Sequence, residues 1–279
     1  MKIFKFGGAS IKDAQGVKNV AHVLQTVGFD NVLIVISAMG KTTNALEVVI
    51  KNYFEKSSEL PESIQDVKKY HYQILMDLIE DENHNSYFDV NALFDDLEYF
   101  IRSNKSPNYN FVYDQIISFG ELLSTTIVSH YFNFINMKNK WLDVRTLIKT
   151  DTNYRDANVH WEQSFRLISK NVNTASLHIT QGFLGSDENS FTTTLGREGS
   201  DYTAAIFAYC LNAQSVTIWK DVPGVMNADP RFFENSILLH QISYREAIEL
   251  AFYGATVIHP KTLQPLQKKE IPLFVKYTL

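Results

Sequence analysis

The segment Val32-Leu33-Ile34-Val35-Ile36 restricts the fold more than any other stretch of this chain: five consecutive apolar residues, four of them β-branched. Such a strand has no polar face to give to water, so it fits only the interior of a sheet covered on both sides. Upstream, Ile3 to Phe6 is a second β-prone run, and it ends at Gly7-Gly8. Between the two, Val17, Val20, Ala21 and Leu24 fall on one face of a helix. Strand, glycine turn, helix and strand predict an α/β fold with a mostly parallel sheet.

From about 44 to 104 the texture becomes helical, with Leu46, Val49 and Ile50, then Tyr70, Ile74, Leu75 and Leu78, then Leu93, Leu97 and Phe100 at helical spacing. This reads as a helical insertion between two strands, with loops at 57–62 and 81–86. Strand texture returns at Leu177 to Gln181, Phe191 to Leu195, Ser215 to Trp219 and Pro272 to Lys276, and helices are expected over Thr203 to Leu211 and Arg245 to Phe252. Several of these strands end in Gly, Ser, Thr or Asp. In open α/β sheets ligands bind beyond the carboxyl ends of the strands, so these polar ends are candidates for one shared site.

The 279 residues carry a net charge of −5, which argues against nucleic acid as the main partner. No run reaches the length of a membrane span, and Met1 to Lys5 has no apolar signal-peptide core. One cysteine, Cys210, lies in an apolar run and suits a reducing, cytoplasmic setting. The eight histidines show no metal-binding spacing, so no resident metal is expected.

Two glycine loops carry the chemistry. In Lys5-Phe6-Gly7-Gly8-Ala9-Ser10 the missing Cβ atoms let backbone N–H groups approach a phosphate at a helix start. Lys5 inside the strand calls for an anionic partner, although an edge-strand lysine beside an ordinary turn is the plainer reading. In Thr194-Leu195-Gly196-Arg197-Glu198-Gly199-Ser200-Asp201, Ser200 and Asp201 suit helix capping, and Arg197 suits a two-pronged grip on a carboxylate or phosphate. Gly40-Lys41-Thr42 imitates the end of a P-loop, but the glycine that pattern requires five residues earlier is Val35.

Together these pieces resemble the aspartate kinases of the amino acid kinase superfamily. The likeness runs in order through Lys5 to Ser10, Ser37-Ala38-Met39-Gly40 with Thr43-Asn44, Phe119-Gly120-Glu121, Gln181-Gly182-Phe183, Gly196 to Asp201, Asp221-Val222-Pro223-Gly224-Val225, Ala228-Asp229-Pro230-Arg231, Gly254-Ala255 and His259-Pro260. The resemblance implies a three-layer αβα sandwich of the carbamate kinase-like kind. It implies an aspartate-holding N-terminal lobe to about residue 175 and an ATP-holding C-terminal lobe over 176–279. The implied reaction is transfer of the γ-phosphoryl group of ATP to the β-carboxylate of L-aspartate, the first step toward lysine, threonine and methionine. By the same resemblance Lys5 and Asp201 would be catalytic. Thr43, Glu121, Phe183 (through its backbone), Arg197 and Ser200 would hold aspartate. Lys5, Gly7, Gly8, Ser10, Ser37, Lys220, Asp221 and Arg231 would serve the nucleotide, with Mg²⁺ arriving on ATP. Family members often dimerise, which leaves a homo-oligomer open.

Four positions depart from the common family pattern: Ala9 for Thr, Glu198 for Gly, Lys220 for Thr, and Thr256 where some members carry Lys. The C-terminal regulatory ACT domains of many members are absent from this stretch, so feedback control is not expected within it. Two other functions compete: a kinase of the same fold for glutamate, carbamate or UMP, and a catalytically weak ligand-binding or assembly subunit.

Overall fold

The computed structural model describes residues 1–172, 176–220, 222, 224–228, 233, 235–252 and 258–278. In chain order the first half holds β1 (Lys2–Phe6), α1 (Ala14–Val27), β2 (Val32–Ile36), α2 (Thr42–Glu55), α3 (Leu60–Leu78), α4 (Asn85–Ser103), α5 (Tyr109–Ile117), α6 (Phe119–Phe134) and β3 (Lys140–Leu142). The second half holds α7 (Trp161–Asn171), β4 (His178–Gln181), β5 (Leu184–Ser186), β6 (Thr192–Thr194), α8 (Gly199–Leu211), β7 (Ser215–Lys220), α9 (Tyr244–Phe252), α10 (Pro260–Lys268) and β8 (Leu273–Tyr277).

The central sheet has six strands in the order β3-β4-β2-β1-β7-β8, and its pairings are parallel. All five residues of β2 are buried, as its apolar run requires. Alternation along the inner strands sends side chains to two separate cores. Phe4, Phe6, Ile34 and Ile36 pack with α1 to α6 on one face. Ile3, Leu33, Val35, Val216 and Ile218 pack with α7, α8 and α10 on the other. The result is the three-layer αβα sandwich expected from the sequence.

That alternation also aims the chemistry. Lys5 follows Ile3 by two residues and Lys220 follows Ile218 by two, so both lysines face the α8 side of the sheet. β1 lies between β2 and β7, which rules out the edge-strand reading of Lys5.

The structure corrects several expected boundaries. The helical region runs from Thr42 to Phe134 as five helices, longer than the 44–104 insertion read from the pattern. The loop expected over 57–62 is cut short because Pro61, pre-set for a helical first turn, sits at the start of α3. The strand expected over Phe191 to Leu195 is β6, and it pairs antiparallel with β5 outside the main sheet. The helix expected from Thr203 begins at Gly199, so Ser200 and Asp201 lie in its first turn rather than at its cap.

Candidate active site

The loops after β1, β2 and β4 are joined backbone to backbone. Ser37 N donates to Phe6 O at 3.2 Å, Gly40 N to Gly8 O at 3.0 Å, and Gly182 N to Ile36 O at 2.9 Å. A Cβ on Gly8 would come within 2.4 Å of the Ala38 carbonyl oxygen, so only glycine permits this approach. Above these strand ends opens a cleft of about 540 Å³ lined by Lys5, Gly8, Ser37, Thr43, Glu121, Phe183, Arg197, Ser200, Asp201 and Lys220 among others. Sequence reasoning thus placed most of its site residues on one surface.

At the inner end, Lys5 Nζ lies 2.8 Å from Asp201 Oδ1, and Lys220 Nζ lies 3.3 Å from Asp201 Oδ2. Asp201 is buried in the first turn of α8, where the helix dipole also favours an anion. Burial alone would push its carboxyl up; the Lys5 and Lys220 ammoniums outweigh that and hold it below the usual carboxylate range. One carboxylate shared by two lysines leaves a net positive charge facing the glycine loop.

Glu121, in the first turn of α6, is buried and accepts a hydrogen bond from Ala38 N at 3.2 Å. Burial pushes its carboxyl up to about 8, against the opposing pull of its backbone donors and of Lys5. A positively charged ligand group would relieve that cost. Thr43 stands in the first turn of α2, and Ser37 follows β2 with its carbonyl taken by Ser124 Oγ at 2.7 Å.

Some expectations fare differently. Ser10 is buried, its hydroxyl 3.0 Å from that of Thr278, so it ties the end of β8 to the glycine loop and does not line the cleft. Gly7 precedes Gly8 without lining the cleft itself. The Phe183 N–H is already committed to Thr203 Oγ1 at 2.9 Å, and its carbonyl accepts from Leu195 N at 2.8 Å. Any further backbone contact there falls to the second lone pair of that carbonyl. Asp221, Arg231 and Thr256 lie outside the described residues. Glu198 also lines the cleft, and its carboxylate accepts from His259 N at 2.9 Å, where α10 begins. The odd negative charge in this loop therefore serves a neighbouring helix terminus.

Sequence reasoning missed Tyr113 and Arg155, which also line the cleft. Arg155 sits in a polar loop with no periodic signal, and only the fold brings it against α5. Among the described residues no group of three or more His, Cys, Asp or Glu is placed to hold a metal ion, and no helix is long and apolar enough to cross a membrane.

A parallel sheet with a glycine loop, a lysine-bridged carboxylate and cations along one cleft defines an α/β protein suited to phosphate-bearing and small anionic ligands. The model of the amino acid kinase family matches residues 1–277, and the chain belongs to that family. It is 32% identical, over 98% of its length, to the lysine-sensitive aspartokinase 3 of Escherichia coli K12, covering 60% of that protein. It is 30% identical, over 98% of its length, to the chloroplastic bifunctional aspartokinase/homoserine dehydrogenase 2 of Arabidopsis thaliana, covering 31% of it. The chain thus spans from about a third to three fifths of the length of these curated relatives. The crystal structure of E. coli aspartokinase III in complex with aspartate and ADP superposes with a TM-score of 0.91 at 31% identity, over 100% of this chain and 62% of that one.

Proposed function

We propose that this chain is the catalytic part of an aspartate kinase, moving the γ-phosphoryl group of ATP onto the β-carboxylate of L-aspartate to give 4-phospho-L-aspartate and ADP. The observation that carries the reading is the polarity of the cleft. Lys5 and Lys220, bridged by Asp201, stand at the strand ends beside Gly8, and Glu121, Thr43 and Arg197 stand along the rest of the lining. The two aspartokinase relatives and the aspartate–ADP complex of E. coli aspartokinase III support the choice of substrate.

In this reading the residues up to about 175 hold most of the aspartate site, and the later residues hold ATP. The β-carboxylate is ionised at neutral pH, so it attacks without a general base. An oxygen–phosphorus bond forms to the γ-phosphorus as the bond to the β-bridging oxygen breaks, and ADP leaves. Lys5 faces the negative charge on the phosphoryl oxygens during transfer. Asp201 holds the Lys5 and Lys220 ammoniums in place. Gly8 lets backbone groups reach the phosphates. Glu121 pairs with the substrate ammonium, and Arg197 with the α-carboxylate. Mg²⁺ brought in on ATP supplies further charge relief on the phosphate oxygens. The cleft fits such a phosphate chain: an open glycine approach and two ammoniums meet at its inner end.

Hydroxylamine traps acyl phosphates as coloured hydroxamates. Protein incubated with Mg-ATP, L-aspartate and hydroxylamine is expected to give aspartate-dependent hydroxamate, lost in Lys5→Ala. Folded protein that binds ATP yet yields hydroxamate with neither aspartate nor any other amino acid would overturn the reading. Hydroxamate with glutamate alone would redirect it to another substrate.

A further inference from the structure

Arg155 has an unusual placement. Its backbone is left-handed, with φ of 74°, a conformation unfavourable for a non-glycine residue. The loop holds it there by several independent contacts. Arg155 N donates to Asp114 Oδ2 at 3.0 Å, and that same buried carboxylate accepts from Thr194 N and Thr194 Oγ1, both at 2.8 Å. Ala157 N donates to Thr194 O at 2.9 Å. Asp151 closes the loop base by accepting from Asn153 N at 3.1 Å and Asn158 N at 2.9 Å.

The neighbouring residue joins this loop to the loop of Arg197. Asp156 Oδ1 lies where a Cβ on Gly196 would be, 2.4 Å away, and it holds Lys261 Nζ at 2.7 Å. Arg155 and Arg197 therefore stand on two abutting loops, each one residue from the contact, and both line the cleft.

The Arg155 guanidinium lies 4.3 Å from the centre of the Tyr113 ring. The Tyr113 hydroxyl is itself anchored, donating to Glu47 Oε1 at 3.0 Å. Stacking fixes the plane of a guanidinium while leaving its in-plane N–H donors free. Among the described residues, neither Arg155 nor Arg197 has a carboxylate within ion-pair distance, whereas Lys5 and Lys220 share Asp201. Two guanidinium groups without a carboxylate partner among the described residues thus line the cleft that also holds Glu121 and Thr43.

We infer that Arg155 is a specificity-determining residue which, with Arg197, grips the α-carboxylate of the amino-acid substrate. The inference rests on the aspartate kinase reading. A dicarboxylic amino acid presents one carboxylate to the phosphoryl group and one to this arginine pair, and the ammonium lies toward Glu121. A substrate without an α-carboxylate leaves the pair unmatched.

The test compares wild type with Arg155→Gly and Arg155→Lys, using L-aspartate and its α-amide as alternative substrates. Glycine suits the left-handed backbone, so Arg155→Gly removes the guanidinium while favouring the native loop. Arg155→Lys keeps the charge and loses the planar fork. In Arg155→Gly, KM for aspartate is expected to rise roughly 10–100-fold, with kcat and KM for ATP moving less than about threefold. The preference for aspartate over the α-amide should shrink about tenfold, and Arg155→Lys should fall between. A purely structural Arg155 would shift both substrates' constants together and leave that preference intact. KM for aspartate within twofold of wild type, or an unchanged preference, overturns the inference alone. A wild type inactive with aspartate overturns the kinase reading and this inference with it. If Arg155→Gly does not fold, Arg155→Lys decides by the same two readouts.

Discussion

At the inner end of the cleft, Lys5 and Lys220 are held by sheet strands and Asp201 by the first turn of a helix, with Lys5 and Asp201 buried. At the outer end, Arg155 and Arg197 ride on exposed loops. The contrast teaches where each kind of precision comes from. Inside, ion pairs at 2.8 Å and 3.3 Å, shielded from solvent, fix charge before any ligand arrives. Outside, the guanidinium groups are exposed, and Arg155 is oriented by a ring and a backbone hydrogen bond rather than by a counter-ion.

The largest effect should come from Lys5→Ala. Loss of the cation facing the transferred group is expected to lower kcat by roughly 10³-fold or more, with far less change in aspartate KM, measured by ADP release. An equal effect on KM alone would place Lys5 with the binding residues and erase the contrast. Asp201→Asn comes next. It leaves two lysines without their shared anion in a site where Asp201 and Lys5 are buried, and a stability loss on the order of 3 kcal/mol is expected in urea unfolding, with a kcat drop of about 10²-fold. A neutral outcome would mean that water already serves these ammoniums.

Glu121 lines the same cleft and carries a pH signature. Its carboxyl rises from 4.5 to about 8 on folding, with burial the main cause. Stability from this group is complete below the lower value. Between the two values the unfolded chain has lost the proton that the native state keeps, so stability falls as pH rises, and it levels off above about 8. Aspartate KM should fall over the same interval as the carboxylate becomes available to the ammonium. Glu121→Gln is expected to remove the stability slope, to raise the melting temperature at pH 8, and to raise aspartate KM about tenfold. A melting curve as pH-dependent as that of the wild type would exclude Glu121 as the source. The smallest effect should come from Glu198→Gly. The lost hydrogen bond to His259 N is offset by glycine's ease at φ of 53°, so the melting temperature should move by only a few degrees and kcat by less than about threefold.

The sheet was legible wherever a strand is buried on both faces, because Val32 to Ile36 allows no other placement. Lys5, Glu121, Arg197 and Asp201 were legible through their neighbours, since glycines and strand ends surround them or a helix start follows. What escaped notice depends on contacts far apart in sequence. β3 is only Lys140-Trp141-Leu142, too short to show a period. The threonines of β6 fit any strand, and nothing local says that they pair backward with β5. Arg155 reads as one more polar loop residue, because its meaning comes from Tyr113 and Asp114, about forty positions earlier. The role of Glu198 as acceptor depends likewise on His259, at the start of a helix in another part of the chain.

The stitched loops after β1, β2 and β4 act as the fixed jaw of a vice. Their spacing is set by amide-to-carbonyl contact, which no rotamer change can widen, and a single methyl on residue 8 would be a shim driven between the plates. On the proposed reading the amino acid is held from the opposite jaw, where the two arginine loops bear on each other through Asp156 and Gly196. In such a tool the work is gauged against the immovable side, and on the proposed reading the phosphate position is the reference from which the amino acid's position is measured.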